Sequence, residues 1–163
     1  MTSTALGGTP VSLVGDLPAP GEPAPAYALT GTDLGEVVRR EGQRTVLNIF
    51  PSVDTGVCAA SVREFNARAA DLPDTDVVCV SQDLPFAQAR FCGSEGLERV
   101  VTGSAFRSTF GDDYGVRLAD GAFAGLLARA VVVLDRDGTV LHSQLVPEIS
   151  QEPDYDAAVA ALR

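Results

Sequence analysis

Lysine is absent from this chain: all twelve basic residues are Arg. Without an ε-amine there is neither a Schiff-base nucleophile nor a GxxxxGKS/T phosphate loop. Against those twelve bases stand 22 acids, for a net charge of -10, and no basic run occurs anywhere. Such a chain is poorly suited to nucleic acid or to an anionic membrane surface. No apolar run approaches the ~18 residues of a membrane span. Residues 1–10 carry no positive charge and no apolar core, so they do not read as a signal peptide. CxxC is also missing, which removes a local zinc clip and a thioredoxin-type dithiol. Three cysteines make an odd count, unlike a secreted disulfide framework, and point to a reducing compartment. A soluble, cytoplasmic protein is expected.

What is present describes one globular domain. The 163 residues are 45% hydrophobic, enough to bury a sizeable core, and residues 1–163 are read as a single unit. Five of the ten prolines stand at positions 10, 18, 20, 23 and 25, so residues 16–26 read as an extended arm. Ahead of it, β-forming residues on either side of Gly7-Gly8 predict a small hairpin. Residues 45–50 (TVLNIF), 77–81 (VVCVS) and 130–134 (AVVVL) read as buried strands. Cys58, Val62, Phe65, Ala69 and Leu72 recur at helical spacing. A second helix is predicted over residues 84–92, with Pro85 in its first turn. Asp135-Arg136-Asp137-Gly138 reads as a hairpin turn, and residues 154–162 as a closing helix. This order gives an α/β fold with a mixed central sheet flanked by helices, compatible with a thioredoxin-like domain.

The chemistry concentrates in residues 48–61, NIFPSVDTGVCAAS. A strand ends at Phe50, Pro51 stops it, and Asp54 or Thr55 can cap the following helix. Cys58 then falls in the first turn, where free N–H groups and the positive dipole end favour a thiolate. Thr55 can reach the same region. Yet free Cys is among the most buried residue types. On this segment alone, core packing accounts for Cys58 better than catalysis does. Cys79 sits among valines and is assigned to the core. Cys92 ends a polar-faced helix before Gly93-Ser94-Glu95-Gly96, which predicts a mobile helix end near the surface. Arg129 stands among apolar residues at the entrance of AVVVL. Arg is rarely buried without an anionic partner; a carboxylate is the plainer partner for it and a thiolate the sharper one. His142, the only histidine, is expected to face solvent from its strand.

Pro51-Ser52-Val53-Asp54-Thr55-Gly56-Val57-Cys58 resembles the PxxxTxxC motif of the peroxiredoxins. Together with Ser81-Gln82-Asp83-Leu84-Pro85-Phe86-Ala87-Gln88-Ala89-Arg90-Phe91-Cys92, it is similar to the atypical two-cysteine subfamily, the bacterial thiol peroxidases. The likeness runs on through ARAVVVLD and SQLVPEISQEPDYDAAVAAL, across nearly the whole chain. It implies a thioredoxin-like peroxiredoxin fold with an N-terminal β-hairpin. It also implies that Cys58 is the peroxidatic cysteine and Cys92 the resolving one, joined as an intramolecular disulfide. Pro51 would shield the sulfur, Thr55 would bond thiolate and peroxide oxygen, and Arg129 would keep Cys58 ionised. Hydroperoxide is the implied substrate, alkyl hydroperoxides ahead of hydrogen peroxide, with thioredoxin as reductant and a homodimer as the assembly. No metal, flavin or haem is called for. Two other classes remain open at this point: a stoichiometric redox sensor, and a Cys3His zinc site using His142.

Overall fold

The computed structural model describes residues 2–163. Its strands are β1 (Ser3–Leu6), β2 (Thr9–Ser12), β3 (Leu29–Thr30), β4 (Glu36–Val37), β5 (Arg44–Ile49), β6 (Thr75–Ser81), β7 (Val101–Ser104), β8 (Ala130–Leu134) and β9 (Val140–Leu145). Its helices are α1 (Gly56–Ala69), α2 (Pro85–Glu95), α3 (Phe110–Asp113) and α4 (Tyr155–Ala160). β1 and β2 form a separate antiparallel hairpin, and the other strands form one sheet in the order β4-β3-β7-β6-β5-β8-β9. β5, β6 and β7 are parallel neighbours, while β8 and β9 run antiparallel. The sheet is mixed, as the order of elements predicts.

The apolar runs at 45–50, 77–81 and 130–134 are nearly continuous because both faces of the sheet are covered. Leu47, Ile49, Val78, Val80, Val132 and Leu134 pack into one layer with Phe110 and Tyr114. Val46, Cys79, Val131 and Val133 face the other layer, against Cys58, Val62 and Phe65 of α1 and Ala158 of α4. The stripe on α1 is the helical repeat seen in the sequence. Leu72 lies beyond the helix end but still packs against that cluster.

Four features differ from the sequence expectations. The strands β3, β4 and β7 carry no alternating signal, because two are a residue pair each and the third is VTGS. Gly103 makes β7 possible: a Cβ there would come within 2.6 Å of Leu29 Cδ1. Helix α2 runs a turn past Cys92, where Gly96 closes it at φ 67° and the Leu97 N–H donates to the Cys92 carbonyl at 3.0 Å. Cys92 therefore sits inside a wound turn rather than at a free end. His142 is half-buried, with Nε2 buried and without a partner, and burial lowers its pKa. The ladder pairs His142 with Val133 but Val140 with Leu134, so Leu141 is a bulge that reverses the alternation.

The hairpin is tied beside the segment that follows β9. Thr4 Oγ1 donates to the Val146 carbonyl at 2.8 Å, and the Ile149 N–H donates to the Ala5 carbonyl at 2.8 Å. Gly7 and Gly8, at φ 59° and 83°, make the two-residue turn that only such backbone angles permit. Their N–H groups donate to the Glu148 carboxylate, as do the N–H and hydroxyl of Ser150. Those bonds, Ser150 N–H foremost and Gly8 N–H next, hold the Glu148 pKa down from 4.5 to about 2. A carboxyl depressed by folding contributes stability above its unfolded pKa and loses it as pH falls through the folded one. Amide protection at Gly7, Gly8 and Ser150 is expected to hold above pH ~4.5 and to fall toward pH ~2. NMR protection factors measure this, and Glu148→Gln should remove the pH dependence at all three amides.

Candidate active site

The site lies where the N-terminus of α1 meets the start of β8. Chain leaves the central strand β5 at Phe50, whose N–H still donates to the Val80 carbonyl at 3.1 Å. Pro51, which has no N–H, is buried at that exit. Residues 52–55 then turn into α1, with Cys58 as its third residue and completely buried. The first N–H groups of a helix have no intrahelical acceptor, so this end offers donors to an anion.

Arg129 immediately precedes β8 and is 1% exposed. Its Nη2 donates to Cys58 Sγ at 3.1 Å and its Nε to the Ile149 carbonyl at 2.7 Å, while Nη1 is buried without a partner. Among the described residues no carboxylate forms a salt bridge with Arg129. A carboxylate partner, the plainer expectation, is not what the fold supplies. A buried guanidinium is costly unless an anion accompanies it, and the group beside it is the cysteine sulfur.

Thr55 occupies the N-cap position of α1, but its side chain does not cap the helix. Its hydroxyl donates to the Ser52 carbonyl at 3.2 Å instead. Thr55 nevertheless lines a cavity of about 140 Å³ with Leu6, Val57, Phe123, Arg129 and Ile149. That lining is mainly apolar, with the guanidinium as its charged member. A larger cleft of about 380 Å³ between Arg44, Arg68 and Arg163 includes neither Cys58 nor Arg129 in its walls. We assign the smaller cavity to the site because Thr55 and Arg129 border it; Cys58 is not in its wall and is reached through its bond from Arg129.

The other two thiols differ. Cys79 is completely buried and accepts from Asn48 Nδ2 at 3.7 Å. Burial pushes its thiol up to about 12, so it stays neutral as the core assignment requires. Cys92 is half-buried on α2, and burial raises its thiol as well. All three cysteines are free thiols in this structure. Among the described residues no group of three or more His, Cys, Asp and Glu is arranged to hold a metal, and no helix is long and apolar enough to cross a membrane.

Sequence reasoning passed over Leu6, Phe123, Ile149, Asp83 and Glu148. The first three are ordinary apolar residues far apart in the chain, brought together by the hairpin and the segments flanking β8–β9. Asp83 stood inside the quoted Ser81–Cys92 segment without a role. Its carboxylate accepts from Ser52 Oγ at 2.7 Å, the Val53 N–H at 2.9 Å and Ser81 Oγ at 2.6 Å.

Comparison with known proteins adds an independent line. The redoxin family profile matches residues 19–159. A thiol peroxidase of Mycobacterium tuberculosis is 59% identical, the match covering 99% of each chain. One of Corynebacterium glutamicum is 54% identical with the same coverage. Among solved structures, a peroxiredoxin-like protein from Aquifex aeolicus superposes with a TM-score of 0.95 at 40% identity, covering 99% of this chain and 96% of that one. A thiol peroxidase from Chromobacterium violaceum does so with a TM-score of 0.91 at 20% identity, over the same shares, a likeness of fold alone.

Proposed function

The chain belongs to the redoxin family and, within it, to the peroxiredoxin-type thiol peroxidases, oxidoreductases that reduce peroxides with a thiol; from that premise we propose that Cys58 is the peroxidatic cysteine and Cys92 the resolving cysteine of an intramolecular disulfide cycle. The observation that carries the reading is the buried Arg129 guanidinium 3.1 Å from Cys58 Sγ, with no carboxylate to share it. In the cycle, the Cys58 thiolate attacks the terminal oxygen of ROOH. The S–O bond forms, the O–O bond breaks, and the alcohol leaves with a proton, so that sulfur is oxidised to a sulfenic acid. The α1 N–H groups and Arg129, whose Nη1 is free to donate, stabilise charge on the departing oxygen. Thr55 at the cavity wall adds its hydroxyl once peroxide displaces the Ser52 carbonyl bond, and Pro51 limits water beside the sulfur. The Cys92 thiol then condenses with the sulfenic acid, forming the S–S bond and releasing water. An external dithiol, thioredoxin by family likeness, reduces the bridge and leaves as its own disulfide.

The apolar cavity wall of Leu6, Val57, Phe123 and Ile149 supports alkyl hydroperoxides as preferred substrates over hydrogen peroxide. A homodimer would cover the exposed Leu84, Phe86 and Phe106. Three free thiols suit a reducing, cytoplasmic setting. The test is a non-reducing peptide map of pre-reduced protein after one equivalent of an alkyl hydroperoxide. A single Cys58–Cys92 bridge with Cys79 free is expected. A Cys58 sulfenic or sulfinic acid without a bridge would refute the resolving role. Cys92→Ser is expected to reduce one equivalent of peroxide and then stall; normal thioredoxin-linked cycling of that variant would overturn the assignment.

A further inference from the structure

The loop that delivers Cys58 to Arg129 is hydrogen-bonded to the base of α2 through one carboxylate. Asp83 is the residue before the N-cap of α2, the helix that carries Cys92. Two of the donors converging on it, the Ser52 hydroxyl and the Val53 N–H, belong to the loop between β5 and α1, and the third is the Ser81 hydroxyl at the end of β6. Ser81 Oγ in turn accepts from the Asp83 N–H at 3.3 Å and from the buried Gln88 Nε2 at 3.0 Å. Gln88 also donates to the Gly103 carbonyl on β7, and Ser104 Oγ donates to the Asp83 carbonyl. The carboxylate is thus fixed by β6, β7 and α2, and grips the loop from that frame.

Val53 also packs its buried side chain into the layer around α1, but among the described residues no hydrogen bond other than those to Asp83 ties residues 52–55 to β6, β7 or α2. The Thr55 N–H and hydroxyl both donate to Ser52 within the loop itself, and the Asp54 N–H donates to Ser52 Oγ. Asp54 faces Arg90 only across an exposed pair at 3.8 Å, a contact worth little in water. Hydrogen bonds to an ionised carboxylate are about twice as strong as neutral ones. Losing Asp83 therefore removes the polar tie on the segment that sets where α1 begins, leaving Val53 packing as its remaining anchor.

We propose that Asp83 is a positioning residue that latches the loop between β5 and α1 to the base of α2, keeping the first turn of α1 wound with Cys58 against Arg129, and that its release accompanies the opening in which Cys58 reaches Cys92. The proposal rests on Cys58 being the peroxide-reactive sulfur. It assigns Asp83 opposite effects on the two halves of the cycle. The wound turn favours attack on peroxide. The open turn favours disulfide formation, because the wound turn keeps Cys58 completely buried against Arg129 while Cys92 stands half-buried on α2. A purely structural aspartate would alter thermal stability without dividing the cycle in this way.

Asp83→Ala, Asp83→Asn and Ser52→Ala are compared with the unsubstituted protein in three measurements. These are rapid-quench oxidation of Cys58 by tert-butyl hydroperoxide, the sulfinic-to-disulfide ratio at excess peroxide, and hydrogen exchange over residues 56–60. Asp83→Ala is expected to slow Cys58 oxidation by about tenfold or more, the loss of at least one hydrogen bond to a charged acceptor. It should speed exchange in the first turn of α1 by a similar factor and lower the sulfinic share severalfold. Asp83→Asn and Ser52→Ala should shift all three in the same direction by less, and they decide the matter if the alanine variant does not fold. Unchanged oxidation and unchanged exchange, whatever the melting temperature does, would overturn the latch. If Cys58 of the unsubstituted protein does not react with peroxide, the nucleophile assignment fails instead, and the exchange data still report on the latch.

Discussion

Cys58→Ser is expected to remove peroxide turnover, by roughly four orders of magnitude or more, as losses of an essential nucleophile do. The loss follows from what surrounds the sulfur. A thiol ionises readily and needs only a nearby positive charge to persist as an anion. A serine hydroxyl needs a general base to take its proton. The side chain bonded to Cys58 Sγ is Arg129, a permanent donor with no acceptor. The site can hold an anion but cannot create one from an alcohol. Peroxide-dependent oxidation of a dithiol reductant measures the effect; a serine variant keeping a tenth of the activity would show that another group attacks the peroxide.

The same variant also carries a stability readout. Serine fits the space and can accept from Nη2, but as a neutral group beside a guanidinium that is 1% exposed. Weakening that charge-assisted bond is expected to cost about 1–3 kcal/mol. For a chain of this size that lowers the melting temperature by roughly 2–12 °C. If Cys58 were only a small core residue, serine would destabilise the protein and leave turnover intact.

Sequence pattern revealed the frame of the molecule wherever burial imposes a strong periodicity. The runs at 45–50, 77–81 and 130–134 became the central strands, and the Cys58–Val62–Phe65 stripe became the buried face of α1. Gly7-Gly8 marked its hairpin because two positive φ angles are required there. The pattern failed where pairing is short or irregular. β3 and β4 are a residue pair each and exist through their partners, and the Leu141 bulge turned His142 to the other face. At the site, Cys58 was legible as a thiol at a helix start and Arg129 as a misplaced charge, but 71 positions separate them. Only the pairing of β5 with β8 brings these two together, through the register that sets Ile49 opposite Ala130. Asp83 was invisible for another reason: a half-buried aspartate is ordinary until its three donors are known.

Arg129→Met is expected to lower kcat/KM for peroxide by about 10²–10³, the usual cost of removing a preorganised donor, while the melting temperature holds or rises. The sign of the second effect is what distinguishes this substitution. Methionine is apolar and of comparable length, and replacing a buried charge with a well-packed apolar side chain is often neutral or stabilising. The Cys58 side chain is then left beside Val62 and Phe65, apolar surroundings that suit a small buried side chain. Two bonds are lost, that from Nη2 to Cys58 Sγ and that from Nε to the Ile149 carbonyl. Lysine is not a conservative alternative, because one ammonium cannot reproduce the fork that serves both the Ile149 carbonyl and Cys58 Sγ. Cys58→Ser weakens the bond to a buried cation, whereas Arg129→Met removes the cation, so the double variant should melt above Cys58→Ser alone. A double-mutant cycle on melting temperature and on kcat/KM makes the comparison. Additive stabilities together with wild-type kcat/KM in Arg129→Met would mean that the guanidinium and the sulfur are merely packed together.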